Sequence, residues 1–290
     1  MKVIVSTLGC LMLINWTNIL PPSSNLCYAL WCYLWLIIWY CPLAWLEDHE
    51  NAYGCVKQLY LLKLKNRKPK TLLSIGGWTW STKFPSVARS ASSRSTSAKS
   101  AVTLMKDWGF DGVDVDWEYP SNADDADHMV LLLQAVRDEL DAYAAEYAPG
   151  YHFQLSLAAP AGLELISLLR ISTPSKISDH FNVMTYDFVS TDIASHNANV
   201  YATRNIIDAT PFNTDDVVRA YLTAGAPGTK IVVGMPFYGR SFTGTSGLGK
   251  PSFDVGLANT SLGSWERGVW EYKVLPKTGA SISYDDKASA

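Results

Sequence analysis

The chain has no framework of cysteines. Four of its five, Cys10, Cys27, Cys32 and Cys41, fall near the start, and only Cys55 lies beyond them. None forms a Cys-x-x-Cys pair or keeps metal-ligand spacing, so no disulfide scaffold and no metal site can be read from them. A surplus of either charge is lacking too. With 24 basic residues against 27 acidic ones, there is no strong field for nucleic acid or an anionic membrane, and a neutral partner is expected. There is no internal repeat, and the only biased tract is the Ser-rich stretch Ser90 to Ser100, which reads as a solvated helix start. The single basic run, Lys63, Lys65, Arg67, Lys68 and Lys70, closes an amphipathic helical stretch, where cations suit the negative end of the dipole. No nucleic-acid partner is expected from it.

What is present is length and aromatic side chains. The 290 residues suffice for one large α/β domain, and a complete eight-stranded α/β barrel takes roughly 250. The 11 Trp and 15 Tyr include enough aromatics to stack on uncharged sugar faces, although most read as core. The opening segment, residues 1–46, stands apart as a hydrophobic, Trp- and Cys-rich stretch. Met1-Lys2 before Val3-Ile4-Val5 looks like a secretory signal. The apolar run from Cys27 to Leu46 meets the length of a membrane span. Its several Trp and Pro42 suit an interfacial belt better than a bilayer centre. The segment equally reads as two barrel strands. The sharp break in composition favours a fourth reading, an aberrant start unrelated to the rest of the chain.

From Tyr53 onward helical patterns alternate with short apolar strands, the order of βα units in a parallel sheet. Five strands are legible: Thr71 to Gly77, Phe110 to Glu118, His152 to Ala159, His180 to Asp187 and Lys230 to Phe237. Met129, Leu132, Leu133, Val136, Leu140, Tyr143 and Tyr147 keep helical spacing and predict one apolar face. A second helix follows Thr214, read as its N-cap, with Val217, Val218, Tyr221 and Leu222 buried and Gly225 as its stop. Ala101, Val102, Met105 and Trp108 mark a third. Right-handed crossovers put such helices outside and strands inside.

The most informative stretch is Asp111-Gly112-Val113-Asp114-Val115-Asp116-Trp117-Glu118. Strand side chains alternate faces, so Asp114, Asp116 and Glu118 line one side at about 6.6 Å intervals, with Val113, Val115 and Trp117 on the other. The interleaved valines and the place of the glycine disfavour a calcium loop, and no metal is expected. Turned into a barrel lumen, three like charges cannot all ionise freely, and at least one must hold its proton well above the usual carboxylate range. Such a group can protonate a leaving oxygen. Glu118 is nearest the C-terminal end, where barrel enzymes place their chemistry. Ordinary glycosidases set two carboxylates across the scissile bond, about 5–5.5 Å apart when retaining and about 6.5–9.5 Å when inverting. Neighbours on one strand cannot easily face each other across a sugar. The nucleophile is then expected to be a 2-acetamido group of the substrate itself, with Asp116 orienting it and Asp114 sharing the proton of Asp116.

The complete motif from Asp111 to Glu118 resembles the DGxDxDWE signature of glycoside hydrolase family 18 chitinases. Ser74-Ile75-Gly76-Gly77-Trp78 resembles the family's third-strand segment, with Gly77 and Trp78 as substrate contacts. Met184-Thr185-Tyr186-Asp187 is similar to the sixth-strand segment. There the family implies that Tyr186 bonds the acetamide, while Asp187 shapes the site and Met184 adjoins it. Without the resemblance, Met184 and Tyr186 read as core. Tyr119 is a further expected contact, and Gly234 to Phe242 resembles the seventh-strand segment, with Tyr238 and Arg240 in the cleft. Gly263 to Glu266 and Val269 to Tyr272 resemble the start of a small α+β insertion.

The resemblance implies an endo-acting, retaining chitinase acting on chitin or chito-oligosaccharides, without a cofactor, as a secreted monomer; a membrane anchor through the opening segment is the alternative. Two sequons, Asn15-Trp16-Thr17 and Asn259-Thr260-Ser261, permit glycosylation of an exported chain. The expected fold is a (β/α)8 TIM barrel, incomplete because strands 1, 2 and 8 have no recognisable counterpart. Its parts are 1–46 as the opening segment, 47–242 as the partial barrel and 243–290 as a partial insertion domain. A barrel so reduced has open edges. The competing functions are a non-catalytic chitin-binding lectin, against which Glu118 speaks, and an inactive fragment.

Overall fold

The computed structural model describes residues 3–6, 11–12, 28–31, 54–190 and 192–290. The other residues of the opening segment, and with them most of the apolar run from Cys27 to Leu46, lie outside the described residues. Among the described residues no helix is long and apolar enough to cross a membrane.

Five parallel strands form the regular part of a barrel: β4 (Leu72–Gly76), β5 (Gly112–Asp116), β6 (Gln154–Ala159), β7 (His180–Val183) and β8 (Ile231–Pro236). All five fall where the sequence predicts strands. They are shorter than predicted, however, so Glu118 and the segment Met184 to Asp187 lie just past their strand ends. The edges of this sheet are not open. The opening segment supplies β1 (Val3–Ser6), β2 (Leu11–Met12) and β3 (Tyr28–Trp31), and the ring closes in the order β1-β3-β2-β4-β5-β6-β7-β8. β1 runs parallel to β8, whereas β2 is antiparallel to both β3 and β4. The regular βα repeat therefore covers five strands, and the remaining wall is irregular.

Helices cover the outside. α1 (Gly54–Lys65) carries Lys63 and Lys65 in its last turn, and Lys63 Nζ pairs with Asp111 at 2.7 Å. After the short α2 (Phe84–Arg89) comes α3 (Ala91–Asp107), which starts in the Ser-rich stretch with the Ser90 hydroxyl accepting from Ser93 N–H. Its Ala98, Ala101, Val102 and Met105 are buried. α4 (Ala123–Tyr147) is capped by the Asn122 side chain, and Asp124 and Asp125 sit in its first turn, where carboxylates suit the dipole. The predicted stripe is buried from Met129 to Leu140, but Tyr147, the last residue of the helix, is 65% exposed with its ring against Tyr143.

The segment α5 (Leu163–Leu168) and the single-turn α6 (Pro174–Ile177) lead to β7. The helix before β8, α7 (Thr214–Thr223), corrects the N-cap reading. The cap is Asn213, whose side-chain oxygen accepts from Asp216 N–H at 2.9 Å, and Thr214 is the first helical residue. Asn accepts at that position without the χ1 restriction of a β-branched residue. Val217 and Tyr221 are buried as predicted and Val218 is partly so, whereas Leu222 is 48% exposed. Gly225, with φ 95°, stops the helix.

The main core lies between strands and helices. Val113, Val115, Trp117, Leu155, Leu157, Phe181 and Val183 face outward onto Met105, Met129, Leu132, Leu133 and Leu140. Each such buried side chain contributes about 1.5–3 kcal/mol. A smaller cluster of Leu72, Ala158, Met184, Tyr186 and Val232 fills the lumen. Beyond β8, β9 (Tyr238–Arg240) pairs antiparallel with β10 (Val269–Glu271) as a separate two-stranded sheet.

Candidate active site

Strand register builds the floor of the site. Ser74 on β4 pairs with Asp114 on β5, and Asp114 pairs with Ser156 on β6. These three side chains therefore meet at one level of the lumen. Asp114 is fully buried and accepts from Ser74 Oγ at 2.8 Å, Ser156 Oγ at 2.5 Å and Asn182 Nδ2 at 2.8 Å. Burial pushes its pKa up to about 6, although all three donors favour the charged form.

Asp116, two residues on, is 2% exposed, and its Oδ1 is buried without a hydrogen-bond partner. Burial, and then the charges of Glu118 and Asp114, raise its pKa well above the carboxylate range. Glu118 comes next, at the rim. Its pKa is raised by burial, against the donors Tyr119 and Trp78 N–H, with a further upward push from the charge of Asp187. The Tyr119 hydroxyl donates to Glu118 Oε2 at 3.2 Å, and the Glu118–Tyr119 peptide is cis. The lumen thus presents three carboxyls with raised proton affinity in one line.

The glycines of the β4 segment are required by contact. Gly76 has φ 125°, and a Cβ there would stand 2.0 Å from the carbonyl oxygen of Asp116. Gly77 N–H donates to that same carbonyl at 2.8 Å. This close approach brings the turn after β4 against the acidic strand. It leaves Trp78 68% exposed at the rim. Ser81, in the same turn, accepts from Glu118 N–H at 2.6 Å and donates to the Gly77 carbonyl at 2.9 Å.

Across the lumen, Met184 and Tyr186 are buried together in the inner cluster. Gly234 makes room for Tyr186, since a Cβ there would come within 2.6 Å of its ring. Tyr186 meets Tyr238 edge-on, with centroids 6.3 Å apart. Asp187 holds a left-handed φ of 59° and takes a 2.7 Å hydrogen bond from Arg240 Nε. Arg240 also lies over the Tyr238 ring at 5.4 Å. Burial, and then the Asp187 charge, raise the pKa of Tyr238.

The eleven residues singled out from sequence therefore fall into three groups: the acidic line Asp114, Asp116 and Glu118 with Tyr119; the rim turn Gly77 and Trp78; and the opposite wall Met184, Tyr186, Asp187, Tyr238 and Arg240. Ser81, Ser156, Asn182 and Asn197 escape sequence reasoning. Strand pairing and register bring in Ser156 and Asn182, whereas Ser81 and Asn197 lie in turns and loops whose contacts leave no mark in the sequence.

Parallel strands, outer helices and a polar lumen at the C-terminal strand ends define a TIM-type α/β barrel protein. The chain belongs to the family described as Glycosyl hydrolases family 18, whose profile matches residues 40–290. A relative named Endochitinase 1 from Metarhizium robertsii is 59% identical over 247 residues, 84% of this chain and 57% of the relative. Chitinase 1 from Aphanocladium album is 56% identical over the same length and shares. The chain thus spans a little over half the length of these relatives. Chitinase ChiA74 from Bacillus thuringiensis superposes with a TM-score of 0.71 at 32% identity, over 81% of this chain and 42% of that one. A mutant class V chitinase from Nicotiana tobaccum in complex with NAG4 gives 0.67 at 25% identity, over 80% and 68%.

Proposed function

We propose that the protein is an endo-acting chitinase that cleaves β-1,4 bonds between N-acetylglucosamine units with retention of configuration. The observation that carries this reading is the buried line Asp114, Asp116 and Glu118, each with raised proton affinity, ending at the rim. Protonated Glu118 gives its proton to the glycosidic oxygen as the C1–O bond breaks. The carbonyl oxygen of the substrate's 2-acetamido group bonds to C1 from the opposite face and forms an oxazolinium ion. Asp116, with a free acceptor at Oδ1, takes the acetamide N–H and offsets the developing positive charge. Asp114 shares the proton that Asp116 releases. Water then attacks C1 as the bond from C1 to the acetamide oxygen breaks, it gives its proton to Glu118, and the two inversions sum to retention.

Tyr186 is assigned to the acetamide oxygen, with Met184 beside it. Trp78, Gly77, Tyr119, Asp187, Tyr238 and Arg240 form the walls of the cleft. The chemistry uses no cofactor or metal. The close endochitinase relatives support chitin as the substrate. The extracellular location of such a polymer supports a secreted enzyme, which is taken to act as a monomer. Residues 47–242 are taken as the larger part of its barrel unit, whose ring is closed by β1, β2 and β3 of the opening segment, and 243–290, which carries β10, as part of an insertion unit.

The test is Glu118→Gln in the full chain. Release of chito-oligosaccharides from soluble chitin is expected to fall by about 10²–10⁴-fold, the usual share of a general acid. Binding of the oligosaccharide, read by tryptophan fluorescence, is expected to survive. Undiminished turnover would remove Glu118 from the mechanism.

A further inference from the structure

Asp187 needs its own support. It is not a glycine, yet it holds φ 59°, and it lies past the end of β7, where no strand partner fixes its backbone. Its N–H donates to the side-chain oxygen Oδ1 of Asn197 at 3.2 Å. The amide nitrogen Nδ2 of the same Asn197 donates to the carbonyl of Tyr238 at 3.3 Å. The main chain of Asn197 adds a third tie, accepting from Phe188 N–H at 3.1 Å. One side chain thus bridges the rim segment after β7 to β9, the two segments that carry Asp187 and its partner Arg240. The next residue, Ala198, packs against the inner cluster that contains Met184 and Tyr186. The segment itself is anchored, since His196 N–H donates to the Ala209 carbonyl and the His196 ring meets Asp285 at 3.2 Å.

We propose that Asn197 is a positioning residue of the substrate cleft, whose amide fixes Asp187 and Tyr238 relative to each other and so sets the wall opposite Glu118. Its side-chain hydrogen bonds go to the backbones of Asp187 and Tyr238 and to none of Asp114, Asp116 and Glu118. Its effect passes through the backbone of Asp187, and an amide is the side chain suited to it, because one end must accept and the other must donate. Serine is too short to span the two backbones, and Asp supplies no donor for the Tyr238 carbonyl.

This inference rests on the proposed chitinase reading, and the experiment separates the two. Asn197→Ala, Asp187→Ala and the double variant are made in the full chain, with Asn197→Asp as an isosteric variant that keeps the acceptor. Turnover of chitotetraose and its binding, by tryptophan fluorescence, are measured alongside circular dichroism and melting. Asn197→Ala is expected to lower kcat/KM by about tenfold or more while remaining folded. In the Asp187→Ala background the same change is expected to have a smaller effect, because only the hold on Tyr238 remains to be lost, and Asn197→Asp is expected to lie between wild type and Asn197→Ala. Equal losses in both backgrounds, or a folded Asn197→Ala with wild-type kcat/KM, overturn the positioning role alone. If Asn197→Ala does not fold, Asn197→Asp decides by the same comparison. A wild type that neither binds nor cleaves chitotetraose overturns the chitinase reading and this inference with it.

Discussion

The backbone N–H of Glu118 donates to the hydroxyl oxygen of Ser81 at 2.6 Å. The hydroxyl passes the interaction on to the carbonyl of Gly77, so the rim turn and the proposed acid are locked together. Replacing the serine by alanine leaves the Glu118 N–H without its partner, a cost of about 1–3 kcal/mol for a buried donor. Ser81→Ala is expected to lower stability by about that amount and, by loosening the backbone that carries Glu118, to lower kcat with little change in KM, about tenfold where about 1.4 kcal/mol of the cost falls on the transition state. Ser81→Thr keeps the hydroxyl and is expected to restore most of it. Steady-state kinetics on a chito-oligosaccharide check this, and an unaltered kcat in Ser81→Ala would show that the hydroxyl positions nothing.

Asp111 opens the acidic motif but sits at the opposite end of its strand. It accepts from Thr71 N–H at 2.8 Å and from the Tyr151 hydroxyl at 2.9 Å, and it pairs with Lys63 at 2.7 Å. Both side chains of the ion pair are nearly buried, at 13% and 11% exposure. Breaking such a pair strands the cation, which costs about 3–5 kcal/mol. Asp111→Ala is therefore expected to lower unfolding stability in urea by about that amount, while turnover per folded molecule stays unchanged. A folded variant with lost turnover and full stability would place Asp111 in the chemistry instead.

These two residues show how far the sequence reaches. The alternation of Val113, Asp114, Val115 and Asp116 is legible because a strand's period of two is local, and the same holds for the helical stripe from Met129 to Leu140. What is not legible is pairing. Ser156 and Asn182 lie 42 and 68 residues from Asp114, and only the β5–β6–β7 register brings their donors onto its carboxylate. Strand ends are equally hidden, since β7 stops at Val183, beyond which the Met184 N–H still bonds to the Ala159 carbonyl of β6 and the Thr185 hydroxyl donates to the Gly234 carbonyl of β8. The closure of the ring by Val3–Ser6 and Leu11–Met12 is open to four readings from sequence, because short apolar stretches carry no mark of their partner.

The floor of the site carries a stability cost that titration exposes. Asp116 binds its proton more tightly in the folded chain than at the ordinary value of 3.8, because burial and the charges of Glu118 and Asp114 oppose its ionisation. Above pH 3.8 the unfolded chain has released this proton while the folded chain still holds it. The folded state then binds more protons than the unfolded one, and stability falls as pH rises through the interval up to the raised pKa. Each tenfold tighter hold on the proton corresponds to about 1.4 kcal/mol. Asp116→Asn does not titrate and escapes this loss. Its melting temperature is expected to match wild type near pH 4 and to exceed it increasingly toward pH 8, by about 2–4 °C for each kcal/mol recovered. Turnover is expected to fall at every pH, since the amide cannot offset the positive charge of the oxazolinium ion. Calorimetric melting across that range decides the matter. A variant less stable than wild type at pH 8 would mean that the carboxylate of Asp116 is held by the fold and does not strain it.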